Sequence, residues 1–314
     1  MDSLFLLGLL LFLFLVGVAW IYWFVRYGLP KGSPVLLYHK VDSRMEWGGT
    51  WNTPKQFERQ MRFLREEGYT VVPLEDIVVG AGLKPAPTTR KLVAITFDDG
   101  YENLFHYAYP ILKQYGYPAT IFLITGFIGE ENLWDVNVGM RRFRHLSWDE
   151  IIEMKENGFT FGSHTVTHRD LTKIPLEEVR WELAESKRSL KERIGEEIKF
   201  LSYPFGRYSE EIQGIAKETG YTTAFTSYPR TKNSFLDPFA RRRVGIYIID
   251  TLPEIRIKMD GSNPLLYGIE EIKGRVINLF SHGTPLYKNV KLKIQNAKFN
   301  HSDIENPSRE DKNF

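Results

Sequence analysis

The sequence predicts an α/β fold built on a parallel sheet, and two recurring patterns carry this prediction. Six short runs are apolar on both faces, as buried parallel strands are: 35–38, 93–97, 119–124, 159–162, 200–203 and 223–226. Amphipathic segments separate these runs along the chain. The alternation predicts either a barrel or a doubly wound sheet, and in both folds functional groups lie at the carboxyl ends of the strands.

The ends of the helices are marked by a glycine followed by an aromatic residue. This pair occurs at Gly68-Tyr69, Gly116-Tyr117, Gly158-Phe159 and Gly220-Tyr221. Glycine tolerates the left-handed conformation just past a helix end, so each pair predicts a junction between a helix and the next strand.

The beginnings of two helices are marked by capping residues. Thr53 and Pro54 provide an N-cap and a first-turn proline before a helix over 55–67. Ser147, followed three residues later by Glu150, predicts a capping box before a helix over 151–157.

The N-terminal segment is predicted to be an uncleaved membrane anchor over residues 1–27. Residues 4–25 contain no charge, and at about 1.5 Å per residue a helix of this length crosses a hydrocarbon core of roughly 30 Å. A signal peptide would have a basic start and a shorter apolar run, whereas this segment begins with Asp2 and ends in an aromatic belt and Arg26. Residues 28–34 then form a tether. Arg26 and Lys31 mildly favour a cytoplasmic body by the positive-inside rule.

The remaining length suits one large domain. Of the 314 residues, about 230 to 260 are left for a folded body, which favours a single barrel-sized domain over 35–261. The alternation fades after Gly261, so we expect residues 262–314 to be a C-terminal extension that is partly disordered.

Composition excludes several classes of function. The net charge of +2 gives no electrostatic case for binding nucleic acid. The absence of cysteine excludes disulfides, thiolate nucleophiles and cysteine-bound zinc, so a metal would have to be held by histidine and carboxylate. A chain without cysteine suits either redox environment, which leaves the compartment open.

Two clusters at predicted strand ends combine into a candidate metal site. Asp98 and Asp99 close the run 93–97, where two adjacent carboxylates repel each other unless a cation neutralises them. By itself this could be a solvated Asp-Asp-Gly turn. His164 and His168 follow the run 159–162 and are four residues apart, a spacing that brings two histidines together on a helical turn. Two imidazoles and one carboxylate leave a position open for water, as in catalytic zinc sites.

Two further strand ends carry candidate functional groups. His39 ends the run 35–38, although a buried structural histidine is the alternative interpretation. Pro204 and Gly206 define a turn after the run 200–203, whose backbone N–H groups could serve as oxyanion donors.

Together these motifs resemble the polysaccharide deacetylases of carbohydrate esterase family 4, the NodB-homology domain. The resemblance rests on TFDDGY at 96–101, SHTVTH at 163–168 and YPFG at 203–206, and it covers roughly residues 33–260. It is strongest to the poly-N-acetylglucosamine deacetylase branch, in which the acid histidine lies at the N-terminus. The resemblance implies a distorted (β/α)7 barrel, here preceded by one transmembrane helix.

The same resemblance implies a role for each motif residue. Asp98 would be the general base, His39 the general acid, and Asp99, His164 and His168 the ligands of a divalent metal, most simply Zn²⁺. The backbone N–H of Phe205 would be an oxyanion donor, although the family usually has tyrosine there. Arg243 would orient a catalytic carboxylate, although three consecutive arginines blur the register. His282, in NLFSHG at 278–283, competes with His39 because unpermuted family members carry the acid late in the chain.

The expected function is metal-dependent N-deacetylation of a glycan that contains N-acetylglucosamine, with release of acetate. Deacetylation of a lipid-linked sugar and O-acetyl esterase activity use the same machinery and stay open as alternatives. A glycoside hydrolase is disfavoured because it has no need of a histidine pair. An alternative of another class is a membrane-tethered, non-catalytic glycan-binding protein. The family resemblance implies a glycan substrate outside the cytoplasm. We therefore expect the folded body to lie outside the cytoplasm, against the weak preference that Arg26 and Lys31 indicate.

Overall fold

The computed structural model describes residues 32–44, 49–80, 91–132, 142–227 and 237–280, together with 7–8, 11–12 and 14–18 near the N-terminus. The strands are β1 (Val35–Tyr38), β2 (Lys40–Val41), β3 (Trp51–Asn52), β4 (Tyr69–Val71), β5 (Lys91–Phe97), β6 (Thr120–Leu123), β7 (Thr160–Ser163), β8 (Phe200–Ser202), β9 (Thr223–Thr226), β10 (Arg241–Arg242) and β11 (Val244–Gly245). The helices are α1 (Pro54–Glu66), α2 (Leu74–Gly80), α3 (Tyr109–Tyr115), α4 (Trp148–Glu156), α5 (Leu176–Ile194), α6 (Glu210–Glu218), α7 (Leu252–Asp260) and α8 (Pro264–Phe280).

The main sheet is parallel and curves until its two edges lie near each other. Its strands follow the order β10-β9-β8-β7-β6-β5-β1-β11, and every pairing in this path is parallel. Arg241–Arg242 pairs with β9 at one edge, and Val244–Gly245 pairs with β1 at the other. Because only Arg243 separates β10 from β11, one extended segment joins the two edges, and the result is a nearly closed parallel barrel.

The six predicted strands are all present, and their boundaries shift by at most two residues. The four predicted junctions also hold, because Gly68, Gly116, Gly158 and Gly220 each have a positive φ, between 67° and 88°. The two predicted helix starts are confirmed as capping boxes. Thr53 is paired with Gln56 and Ser147 with Glu150.

A layer of aromatic residues fills the barrel below its carboxyl-terminal end. Val35, Ala94, Phe122, Phe200 and Phe225 come from five strands and pack together. Gly162 is required beside them, because a Cβ there would lie 2.6 Å from two ring carbons of Phe122. The opposite faces of the strands pack against the surrounding helices in a larger apolar cluster.

The region after Gly261 forms a helix, α8, which a buried charge network fastens to the barrel. Lys258 of α7 pairs with Asp250 and Glu270, and Lys273 of α8 pairs with Asp250 2.9 Å away. Glu271 of α8 pairs with Arg242 of the closing segment.

Several predicted features lie outside the described residues. They are most of the tether 28–34 and residues 281–314 of the predicted extension, which include His282. Only parts of the segment 4–25 are described, and within the described residues no helix is both long and apolar enough to cross a membrane. The anchor therefore stays a prediction from the sequence.

Candidate active site

The Asp-Asp-Gly turn follows β5 directly and places both carboxylates in the mouth of the barrel. Asp98 and Asp99 are both buried, and Asp99 has a left-handed backbone with φ of 71°. Gly100 is also left-handed, and a Cβ there would lie 2.5 Å from a methyl carbon of Leu123. The turn therefore needs glycine at position 100 for both conformation and space.

The histidine pair lies on a loop rather than on the helical turn that its spacing suggested, and in this respect the sequence interpretation was wrong. After β7, Thr165 and His168 both adopt positive φ, 70° and 56°, so the chain coils back on itself. This brings the rings of His164 and His168 to a centroid distance of 4.7 Å.

Glu182 of α5 supports that loop from beneath. Its carboxylate accepts hydrogen bonds from the backbone N–H groups of Val166 (2.8 Å) and Thr167 (2.9 Å) and from the Thr167 hydroxyl. Because these donors would otherwise be unsatisfied in the loop, the buried Glu182 fixes the backbone that positions both histidines.

Asp99, His164 and His168 form a compact set of metal-ligating groups. Asp99 Oδ1 lies 3.5 Å from His164 Nε2 and 3.6 Å from His168 Nε2, and one ligand atom from each residue falls within 4.8 Å of the others. His164 Nδ1 donates to the backbone carbonyl of Ser202 at 2.8 Å, which leaves Nε2 as the lone-pair nitrogen facing Asp99. Two imidazole nitrogens and a carboxylate oxygen in this arrangement fit a divalent metal.

Asp98 is held by a buried bidentate ion pair with Arg243. Arg243 Nη1 donates to Asp98 Oδ1 at 2.7 Å, and Nη2 donates to Oδ2 at 2.6 Å. Burial raises the pKa of Asp98, but Arg243 and then His164 outweigh it and lower the pKa to about 2. Asp98 is thus ionised at neutral pH, as a proton acceptor must be.

Arg243 is itself fixed by the strands around it. Its guanidinium donates to Ser202 Oγ at 2.7 Å and to Thr96 Oγ1 at 3.3 Å. It also lies over the rings of Phe122 and Phe225, 5.1 and 5.8 Å from their centroids. The aromatic layer inside the barrel therefore supports the arginine that holds Asp98.

The turn after β8 brings Phe205 against the histidines. Phe205 has φ of 58°, and its ring centroid lies 4.7 Å from that of His168. Arg207, two residues after Phe205, pairs with Asp170, which follows the histidine loop. This ion pair ties the two motifs together.

His39 leaves β1 beside the same cluster. Burial lowers its pKa to about 4, the negative charge of Asp98 acts in the opposite direction, and Arg243 and His164 lower it further. Tyr38 pairs with Phe97 across β1 and β5, and the Asp98 N–H donates to the Tyr38 carbonyl at 3.0 Å, so His39 and Asp98 follow neighbouring strands at the same end of the barrel. Its Nδ1 has no hydrogen-bond partner among the described residues.

Backbone strain coincides with the three motifs. In the described part of the chain, four non-glycine residues have positive φ: Asp99, Thr165, His168 and Phe205. Each such conformation costs of the order of 1–3 kcal/mol and persists only where the surroundings enforce it. Two of the four are members of the metal-ligating set, so the fold bends its backbone to bring these groups together.

Sequence reasoning missed two supporting residues. Ser202 bridges the site, because its hydroxyl donates to Asp98 Oδ2 at 3.0 Å while its carbonyl binds His164. Glu182 supports the histidine loop from a helix that looks like an ordinary charged helix. A polar residue at the end of an apolar strand was the available signal for Ser202. For Glu182 the only signal was an acid on the buried face of α5.

The three motifs meet where the strands end, and comparisons with known proteins agree with this arrangement. The family model for polysaccharide deacetylases matches residues 86–224. YxkH of Bacillus subtilis strain 168, a protein assigned to the polysaccharide deacetylases, is 34% identical over 220 residues, which are 69% of this chain and 72% of YxkH. The chain belongs to the polysaccharide deacetylase family.

Two further deacetylases extend the comparison. The poly-β-1,6-N-acetyl-D-glucosamine N-deacetylase of Staphylococcus aureus strain MRSA252 is 28% identical over 180 residues, and the match covers 54% of this chain and 59% of that protein. The structure of the Streptococcus pyogenes deacetylase PplD in complex with acetate superposes with a TM-score of 0.64 at 25% identity, covering 74% of this chain and 99% of PplD. This chain is therefore a hydrolase, and it shares the α/β fold of PplD.

Proposed function

We propose that this chain is a metal-dependent N-deacetylase of a polysaccharide that contains N-acetylglucosamine. The observation that carries the proposal is the buried set Asp99, His164 and His168, with its ligand atoms within 4.8 Å, beside an ionised Asp98. The activity in the name of the S. aureus relative supports the choice of substrate.

In the proposed site, Asp99, His164 and His168 hold the metal. A bound divalent metal would supply Lewis acidity toward an acetamide carbonyl and toward water. His164 is prepared for this role because its Nδ1 proton is committed to the Ser202 carbonyl.

Asp98 serves as the general base that takes a proton from the attacking water. Its buried position excludes competing water, and Arg243 keeps it ionised and fixes the direction of its oxygens. The ion pair makes Asp98 a weak base in the free protein, so this arrangement favours orientation over basicity.

His39 gives a proton to the departing amine nitrogen, and the backbone N–H of Phe205 donates to the oxygen that becomes negatively charged. Burial lowers the pKa of His39 to about 4, so its imidazole is neutral in the free protein at neutral pH. The proton that His39 gives is therefore the one that Asp98 takes from water: it passes to the imidazole and then to the amine nitrogen, which returns Asp98 to its carboxylate and His39 to its neutral form. Acetate and a free amino sugar result.

We place the enzyme on the membrane, with the barrel outside the cytoplasm. The uncharged segment 4–25 supports the anchor, and a polymeric glycan as substrate supports the location of the body.

Metal analysis combined with acetate release tests the proposal. The full-length protein, purified in detergent, is expected to contain divalent metal and to release acetate from poly-N-acetylglucosamine oligomers. His164→Ala should lose both metal and activity. Asp98→Asn should keep the metal and lose activity by a factor of the order of 10²–10⁴.

The half-buried acid Glu185 of α5, which pairs with Arg188, provides a matched control, and Glu185→Gln should keep both metal and activity. A wild-type protein that binds the oligomers without metal and without acetate release would instead be a glycan-binding protein, and the enzymatic proposal would be wrong.

A further inference from the structure

Helix α8 exposes a stripe of aliphatic side chains, whereas an ordinary surface helix turns such a stripe toward the core. Leu265, Ile269, Ile272 and Val276 follow one another at four-, three- and four-residue intervals, and with Leu266 they are 41–58% exposed. This spacing puts the first four on a single stripe of the helix. The stripe therefore presents aliphatic side chains to the surroundings.

The charged side chains of α8 hold the helix in this orientation. Glu270 and Lys273 join the buried network around Asp250, and Glu271 pairs with Arg242. Turning the stripe inward would leave these charges without their partners, at a cost that a few aliphatic contacts could not offset. The outward direction of the stripe is thus fixed by the fold.

A second copy of the chain is a poor partner for this stripe. Stable dimers bury about 800 Å² on each partner. Five half-exposed aliphatic side chains on one helix offer on the order of a few hundred Å², which is the size of an ordinary exposed patch. The stripe needs a partner that is already nearby for another reason.

A lipid surface meets that requirement. The predicted anchor ends at residue 27, and only the tether 28–34 separates it from β1, so the connection spans at most about 25 Å. A body of this size has a radius of gyration of roughly 18 Å, so an anchored body must rest close to the bilayer. An amphipathic helix lying in a bilayer interface buries just such a stripe.

We propose that the outer stripe of α8, residues Leu265, Leu266, Ile269, Ile272 and Val276, contacts the acyl chains at the membrane surface. In this orientation, the side of the barrel that carries α8 faces the bilayer. This proposal rests on the predicted anchor for the proximity of lipid, and on the exposed stripe for the face that makes contact.

The cysteine-free sequence allows a direct test with single spin labels. Ile272→Cys reports on the stripe, Val16→Cys on the predicted anchor, and Ala184→Cys on an exposed position of α5. Each full-length variant is labelled and reconstituted in vesicles of phosphatidylcholine and phosphatidylglycerol. Collision rates with oxygen, which partitions into lipid, and with a water-soluble nickel chelate are then measured.

The label at Ile272 should show an oxygen-to-nickel collision ratio several-fold above that at Ala184. Adding Ile269→Glu should lower the ratio at Ile272. An aqueous ratio at Ile272 together with a lipid ratio at Val16 would refute the stripe proposal while leaving the anchor intact. Spin–spin broadening of the label at Ile272 would identify a second copy of the chain as the partner of the stripe. If the label at Ile272 is instead shielded from both oxygen and the nickel chelate in detergent without lipid, another part of the chain covers the stripe. Either result would also overturn the proposal.

Discussion

The buried pair between Asp98 and Arg243 allows a quantitative prediction about the cost of losing one partner. Arg243→Met keeps an unbranched side chain between the rings of Phe122 and Phe225 but removes the donors to Asp98, Ser202 and Thr96. Asp98 would then be a buried carboxylate without its cation. Breaking a buried ion pair in this way costs about 3–5 kcal/mol of unfolding free energy.

The melting temperature should fall accordingly. For a body of this size, 1 kcal/mol corresponds to about 2–4 °C, so Arg243→Met is expected to melt roughly 6–20 °C below the wild type. The loss should also depend on pH. Without Arg243 the pKa of Asp98 rises above its unfolded value, so the destabilisation is present at neutral pH and diminishes as the pH falls through that raised pKa.

A double-mutant cycle isolates the pair. Asp98→Asn combined with Arg243→Met removes both charges, and the double variant should be more stable than the sum of the two single losses predicts, by about 1–3 kcal/mol. Urea unfolding at pH 7, followed by far-ultraviolet circular dichroism, measures all four proteins. Additive losses, or a melting temperature for Arg243→Met within 2 °C of the wild type, would show that the two groups are not energetically coupled.

Three further predictions concern other parts of the chain. His39→Ala should lower deacetylation by about 10²–10⁴ with metal content unchanged, while His282→Ala stays near wild type; the reverse result would move the acid to His282. Glu182→Ala removes the acceptor of the histidine loop and should cost about 2–4 kcal/mol in urea unfolding; a loss no larger than that of Glu185→Ala would show that the loop holds itself. Burial lowers the pKa of His145 to about 4, so wild-type stability should fall as pH drops from 6.5 to 4. His145→Gln should flatten this fall by up to about 3 kcal/mol, and parallel pH profiles would contradict the assignment.

The sequence predicted the strands and their order along the chain well, because buried parallel strands are continuously apolar and their helices end in glycine. It could not predict how the barrel closes. β10 and β11 are two residues each, Arg-Arg and Val-Gly, so neither forms a continuous apolar run that a sequence pattern could detect. Their strand character comes from the neighbours β9 and β1 rather than from their own composition.

For the candidate site, too, the sequence predicted some features and could not predict others. The spacing of His164 and His168 identified the pair correctly, but a helical turn was the wrong reason, because positive φ at Thr165 and His168 produces the approach. The backbone conformation of a non-glycine residue depends on tertiary contacts such as those of Glu182, which a local pattern does not contain. Helix α8 was missed for a related reason, since its charges face inward toward partners that only the folded barrel provides.

Closure of the barrel has a consequence for when this protein can become active. The guanidinium that orients Asp98 belongs to the segment that joins β9 to β1, and 145 positions separate the two side chains in the chain. A growing or translocating polypeptide therefore carries the carboxylate pair and both histidines long before it has Arg243. The ion pair forms only when the segment that contains β10 and β11 joins the sheet, so the completed barrel is itself the condition for an oriented Asp98 carboxylate. A chain that stops before residue 243 would keep every predicted metal ligand and still lack that orientation.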